Sequence, residues 1–159
     1  MGMADITTQF VPAHAALVDR REIPTVQMQS YFDSVYGHAH EVLKTAQVRP
    51  AGPARCYYFS PLGDTVDLAG GFPVRLDTVR LLQDQLADAS PFKVVRHGDL
   101  RTWRLRHRGS GDGLALAWDV LAAHARKAGN GRGAIAWEEY VSIDPDSDRM
   151  TVDLHWAKA

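Results

Sequence analysis

Arg132 to Pro145 reads RGAIAWEEYVSIDP. Two carboxylates, Glu138 and Glu139, stand inside a run of Ala134, Ile135, Ala136, Trp137, Tyr140, Val141 and Ile143. The run is rich in β-formers and bounded by Asn-Gly and Asp-Pro signals, so Arg132–Ile143 reads as a strand. Alternation sends the two glutamates to opposite faces. Ile135, Trp137, Val141 and Ile143 fall on the Glu139 face; Ala136, Tyr140 and Ser142 fall on the Glu138 face. Whichever face is interior, one carboxylate stands beside aromatic side chains. That combination is a cation receptor: rings supply dispersion and cation–π attraction, and the acid supplies the counter-charge. It also suits an acid or base. The plainer alternative is an edge strand whose glutamates are solvated.

Before this strand, Leu114–Ala128 reads as a helix with Leu114, Ala117, Trp118, Leu121, Ala122 and Ala125 on one stripe, ended by Gly129-Asn130-Gly131. The loop Gly109–Gly113 starts it, with Ser110 or Asp112 as cap. After the turn 144–148 a last strand, Arg149–Lys158, alternates Met150, Val152, Leu154 and Trp156 with Thr151, Asp153 and His155. Upstream, Phe92–Val95 and Leu100–His107 are strand-like around the turn His97-Gly98-Asp99. The first half repeats this grammar. Ile6–Asp19 reads as one strand, with Pro12 marking an edge or a bulge. Val26–Ala46 reads as a long helix capped by Thr25, with Met28, Tyr31, Phe32, Val35, Tyr36, Ala39, Val42, Leu43 and Ala46 on a broad stripe. Ala54–Ser60 and Thr65–Val74 form a hairpin around Pro61-Leu62-Gly63, and Gly70–Gly71 signals a bulge or a close backbone approach. Asp77–Ala89 is a short amphipathic connection stopped by Pro91.

Strand, long helix, strand, strand therefore occurs twice. The fold class expected is α+β: a duplicated unit with pseudo-twofold symmetry, antiparallel sheets and two long helices around a central cleft. One domain holds both copies, repeat one at 6–76, a connecting segment at 77–90 and repeat two at 91–159.

Composition narrows the function. With 159 residues, 45% apolar and 23% charged, the chain is an ordinary globular one. The net charge of −1 gives no electrostatic footprint for nucleic acid. No apolar run approaches the roughly 20 residues of a membrane span. The start, MGMADITTQF, lacks a basic segment followed by an apolar one, so no secretory signal is expected. The lone Cys56 excludes an internal disulfide and suits a reducing cytoplasm. The seven histidines show no zinc spacing. Neither a metal nor a cofactor is expected.

Four stretches in this order resemble the GyrI-like small-molecule-binding family, the effector-binding domains of AraC-type and MerR-type regulators, which also occur alone. They are MQSYFDSVYGHAHEVL (Met28–Leu43), GPARCYYFSPLGDTVDLAGGFPV (Gly52–Val74), HRGSGDGLALAWDVLAAHARKAG (His107–Gly129) and AWEEYVSIDP (Ala136–Pro145). The family pattern Trp-Glu-any-Tyr falls on Trp137, Glu138, Glu139 and Tyr140. The resemblance implies that Glu138 lies in a ligand groove and pairs with cationic lipophilic ligands, with Tyr140 beside it. Two departures stand out. Family hairpins often carry a second glutamate where this chain has Ala69 or Gly70, which argues against a mechanism needing two facing carboxylates. Gly111 stands where the family has a tyrosine, which implies a more open groove edge.

The candidate ligand-binding residues are thus Glu138, Tyr140, Tyr57, Tyr58, Phe32, Tyr36, Trp118, Phe72, Trp103 and Trp137. Tyr57 and Tyr58 point to opposite faces, so one of them lines the groove. Phe32 and Tyr36, one helical turn apart, suit plain core equally well, as does Trp118, while Trp103 and Trp137 suit core better than a ligand platform. Asp67 and Asp153 are expected as solvated strand residues, and Arg104 and Arg106 as a solvated strand face. The expected function is a cytoplasmic protein that holds lipophilic, often cationic, aromatic compounds. An alternative is a hydrolase opening strained rings of toxic natural products, with Glu138 activating water and Tyr140 orienting substrate. A third reading, an inhibitor of a macromolecular target such as a topoisomerase, ranks last. A second copy of the chain or an unlinked regulator protein are further candidate partners.

Overall fold

A computed structural model describes residues 5–131 and 135–158. Arg132, Gly133 and Ala134, read above as the start of the glutamate strand, lie outside the described residues. The elements in chain order are β1 (Ile6–Val11), β2 (His14–Pro24), α1 (Met28–Ala46), β3 (Arg55–Tyr58), β4 (Thr65–Val74), α2 (Val79–Gln85), β5 (Lys93–His97), β6 (Leu100–Ser110), α3 (Leu114–Lys127), β7 (Ala136–Ile143) and β8 (Arg149–Ala157). The class is α+β, with antiparallel strand pairing throughout these elements.

The chain divides into two units, Pro12–Asp99 and Met1–Val11 with Leu100–Ala159. In the first, the strand order is β3-β4-β2-β5. In the second it is β7-β8-β6-β1. Each unit carries the order read from the sequence, β2-α1-β3-β4 and β6-α3-β7-β8, plus one edge strand. The edge strand of the first unit is β5, which pairs with β2 (Ala16 opposite Val95), and that of the second is β1, which pairs with β6 (Ile6 opposite Leu105). The segment Ile6–Asp19 is correspondingly two strands rather than one. Pro12 has no amide hydrogen to give a ladder, and the Ala13 N–H donates to Asp99 Oδ1 at 2.8 Å instead.

In the first unit α1 buries Tyr31, Val35, Ala39, Leu43 and Ala46, a stripe three or four residues apart. A fully buried Val or Leu of this kind contributes roughly 1.5–3 kcal/mol. Two glycines of β4 let the layers close. A Cβ on Gly70 would stand 3.1 Å from Val35 Cγ1 and 3.3 Å from the Tyr31 and Tyr36 hydroxyl oxygens. A Cβ on Gly71 would stand 1.7 Å from the Leu17 carbonyl oxygen of the neighbouring strand. The β2–β4 register runs unbroken through both, so the pair marks a close approach and not a bulge. α1 ends at Gln47, whose φ of 57° is left-handed. The Gln47 N–H donates to the Lys44 carbonyl (3.1 Å) and the Val48 N–H to that of Leu43 (2.9 Å), which satisfies two orphan carbonyls.

In the second unit α3 lays Leu121 and Ala125 on Trp103 and Leu105 of β6 and Val152 and Leu154 of β8, with Leu114, Ala117, Trp118, Tyr140, Met150 and Trp156 packed around them. Neither long helix has a side-chain cap. A 3-10 turn precedes each and takes the first amides in i→i+3 bonds. The Thr25 hydroxyl accordingly donates to the Gly63 carbonyl rather than capping α1, and Ser110 and Asp112 cap nothing. A register shift between Tyr140 and Ser142 bulges β7 at Val141. Beyond it Ser142 lies opposite Thr151 and Ile143 opposite Met150, so Ser142 leaves the Glu138 face and Ile143 joins it, the reverse of simple alternation. Among the described residues no helix is long and apolar enough to cross a membrane.

Candidate functional site

Glu138 lies on β7 opposite Leu154, and Tyr140 opposite Val152; both partners belong to the core under α3. The bulge falls after Tyr140, so alternation holds up to that point. Glu138 is 4% exposed. Trp118, on the same helical stripe as Leu121 and Ala125, donates its indole N–H to Glu138 Oε1 at 3.1 Å. Burying a carboxylate is costly unless hydrogen bonds or opposite charge compensate it. Here an aromatic donor fixes one oxygen, and half-buried Tyr140 lies two residues along on the same face.

The opposite face of the same sheet carries a polar network. Trp137, fully buried, stacks on His155 with centroids 4.7 Å apart and planes at 8°. Its indole N–H donates to Glu139 Oε1 at 3.1 Å, and His155 Nε2 lies 3.7 Å from that same oxygen. His155 Nδ1 is 2.8 Å from Thr102 Oγ1. Asp153, 4% exposed, accepts from Arg106 Nε (2.7 Å) and a terminal guanidinium nitrogen (2.9 Å), with Arg104 at 3.8 Å. The hydrogen bond to Asp153, reinforced by its charge, raises the Arg106 pKa. Asp153, expected as a solvated strand residue, is therefore a buried carboxylate, held by Arg106 and Arg104, whose own side chains keep 35% and 28% exposure. Glu139, Asp153 and His155 place ligand-type atoms within 4.8 Å of one another. Both Asp153 oxygens already hold Arg106, so a metal ion there would have to displace a guanidinium.

The remaining candidates lie in the other unit. On the α1 side of its sheet, Phe32 stacks on Tyr36 (6.3 Å, 12°), Tyr36 meets Phe72 edge-on (6.2 Å), and Tyr31 meets Phe32 edge-on (5.7 Å). Tyr58 shares this side by alternation with Cys56, which lies opposite Gly70. Tyr57 takes the other side. It is 3% exposed, its hydroxyl accepts from Arg55 at 2.9 Å, and its ring stacks on His97 at 5.5 Å. Arg55 also reaches His14 Nε2 at 2.7 Å. Burial lowers the His97 pKa to about 4, helped by the nearby His14 and Arg55 charges. Asp67, expected as solvated, is held by Arg20 at 2.8 and 2.9 Å.

The structure thus groups Glu138, Tyr140 and Trp118 in one unit, with Trp103 in the core beneath, and Phe32, Tyr36, Phe72 and Tyr58 on one face of the other. Trp137 lies across the sheet from Glu138. Sequence reasoning passed over Asp19, a carboxylate only 5% exposed on β2. The alternation of Ala15, Leu17 and Asp19 placed it on an interior face, and that signal was legible.

No family model and no curated protein matches the chain. Solved structures do. The EcmrR C-terminal domain superposes with a TM-score of 0.71 at 14% identity, covering 98% of each chain. In an EcmrR–DNA complex the TM-score is 0.69 at 14% identity, and this chain spans 56% of the EcmrR chain. SAV2435 bound to tetraphenylphosphonium gives 0.62 at 9% identity over 96% of this chain and 93% of the other. A hydrolase from Listeria innocua gives 0.59 at 18% identity, over 96% and 91%. Among the described residues each unit pairs four strands and carries one long helix in the β-α-β-β order, and the chain shares the GyrI-like fold of these neighbours.

Proposed function

We propose that the protein binds lipophilic, cationic, aromatic small molecules, with Glu138 as the counter-charge and Trp118 and Tyr140 as neighbouring rings. One observation carries the reading: a glutamate 4% exposed whose oxygen is held by an indole N–H, on the face that a helix covers. A buried acid bounded by rings favours a ligand that brings both charge and apolar surface. Desolvation offsets much of the Coulomb gain, leaving a net contribution of about 1–2 kcal/mol. The tetraphenylphosphonium held by SAV2435, a protein of the same fold, supports this ligand class. A cytoplasmic setting belongs to the same proposal and is supported by the sequence holding a single cysteine, Cys56. The test is a fluorescence titration of cationic dyes against wild type, Glu138→Gln and Glu139→Gln. Glu138→Gln is expected to weaken binding about tenfold, while Glu139→Gln stays within about twofold. Equal micromolar binding by wild type and Glu138→Gln rejects the role of Glu138.

A second reading, ring-opening hydrolysis with Glu138 as base and Tyr140 orienting substrate, is supported by the likeness to the Listeria innocua hydrolase. Incubation with cyclopropane-bearing alkylators followed by mass spectrometry tests it, and turnover no faster than in buffer rejects it.

A further inference from the structure

Asp19 is a further buried carboxylate, beside Tyr31, and it lies in the other unit. It sits on β2 opposite Gly70, under α1. At 5% exposure it needs a compensating charge. That charge is Arg21, two residues along the same face, whose Nε lies 3.1 Å from each oxygen and whose terminal nitrogen lies 2.8 Å from Oδ2. Among the described residues Arg21 supplies every hydrogen bond to this carboxylate. The Tyr31 hydroxyl is spent elsewhere: it donates to the Asp19 backbone carbonyl (2.5 Å) and accepts from the Gly70 N–H (2.7 Å).

The two partners differ in environment. The Asp19 side chain is 6% exposed and that of Arg21 is 53% exposed. The guanidinium is anchored from the solvent side, so it can return to water at little cost, while the carboxylate cannot follow it. Beside this pair runs the ring series Tyr31, Phe32, Tyr36 and Phe72, of which Phe32, Tyr36 and Phe72 are only half-buried. The Arg20–Asp67 pair lacks this asymmetry, because Asp67 is itself 22% exposed.

We propose that Asp19 is a binding site for organic cations that carry aromatic groups, with Arg21 as an exchangeable internal counter-ion. A ligand that brings its own charge displaces Arg21 into solvent and lays its rings on Phe32, Tyr36 and Phe72. No covalent step is involved. The inference deepens the cation-binding reading above, but it rests on different residues and does not use Glu138.

The experiment titrates two probes of similar shape, tetraphenylphosphonium and the neutral triphenylphosphine oxide, into wild type, Arg21→Ala, Asp19→Asn, the double variant and Glu138→Gln. Circular dichroism checks that each is folded. Removing the competing guanidinium by Arg21→Ala is expected to raise tetraphenylphosphonium affinity about threefold. Asp19→Asn should lower it about tenfold, leave the neutral probe within about twofold, and abolish the Arg21→Ala gain in the double variant. The proposal is overturned if Asp19→Asn leaves the cation within about twofold of wild type, if both probes weaken together, or if neither wild type nor Arg21→Ala binds the cation at about 1 mM. Should Asp19→Asn fail to fold, no gain in Arg21→Ala overturns it equally. A loss in Glu138→Gln without one in Asp19→Asn upholds the Glu138 reading and rejects this one; the reverse does the opposite.

Discussion

Gly70 and Gly71 offer a paired experiment, because the same methyl group meets different obstacles one residue apart. At Gly71 the added Cβ would lie 1.7 Å from the Leu17 carbonyl oxygen, and that obstacle is backbone. Ordinary contact begins near 3.4 Å, so β2 and β4 would have to part locally by about 1.7 Å, beyond hydrogen-bond reach. Two ladder bonds lost at roughly 1 kcal/mol each, with the packing of fully buried Leu17 loosened, give an expected cost of about 3–4 kcal/mol. That is a large share of the 5–15 kcal/mol typical of a domain. At Gly70 the obstacles are Val35 Cγ1 and two tyrosine hydroxyls at 3.1–3.3 Å, which can yield by a few tenths of an ångström. Alanine also lowers the entropy of the unfolded chain, so Gly70→Ala should fall within about 1 kcal/mol of wild type. Urea unfolding followed by far-UV circular dichroism measures both. All four tryptophans lie outside the Pro12–Asp99 unit, so indole fluorescence reports the wrong region. A Gly71→Ala loss below about 1 kcal/mol, or a larger loss in Gly70→Ala, refutes the steric argument.

Two further outcomes follow from local chemistry. His97 has a folded pKa lowered from 6.5 to about 4, so the unfolded chain binds its proton first. Its contribution to stability is whole above about pH 6.5 and declines as pH falls toward 4; carried in full the shift is worth about 3 kcal/mol, and screening of the half-exposed ring reduces the expected loss to about 1–2 kcal/mol. Urea midpoints of wild type and His97→Gln between pH 7 and 4 check this, and an unchanged slope in the variant contradicts it. Gln47 holds a left-handed φ of 57° at the end of α1. Gln47→Gly should stabilise the protein by about 0.5–1 kcal/mol, seen as a raised thermal midpoint; a lowered one counts against strain there.

Much of the fold was legible because its signals are local. The Tyr31–Leu43 stripe, the Pro61–Gly63 turn and the glycine pair each act within a few residues, and each emerged where expected. Apart from the helix caps, where 3-10 turns took the first amides, what failed was non-local. Nothing within Ile6–Val11 states that its ladder partner is Leu100–Leu105, so β1 and β2 merged into one strand. The Val141 bulge escaped for a similar reason, since it is defined only against β8. Of the site, the opposed faces of Glu138 and Glu139 follow from alternation alone. That Trp118 reaches Glu138, or that Asp153 collects two arginines from β6, depends on which elements meet, and single-strand patterns do not carry that information.

The placement of β1 has a consequence for synthesis. Its end residue Val11 pairs with Leu100, 89 positions later in the chain (100 − 11). The whole of Pro12–Asp99 leaves the ribosome between the two partners. At typical elongation rates that interval is about 5–20 s, long compared with the milliseconds to seconds in which small mixed domains fold. The Pro12–Asp99 unit can therefore complete its own sheet while ITTQFV is still waiting. That waiting strand carries no charge and no proline, so it has none of the usual guards against pairing with a neighbouring nascent chain.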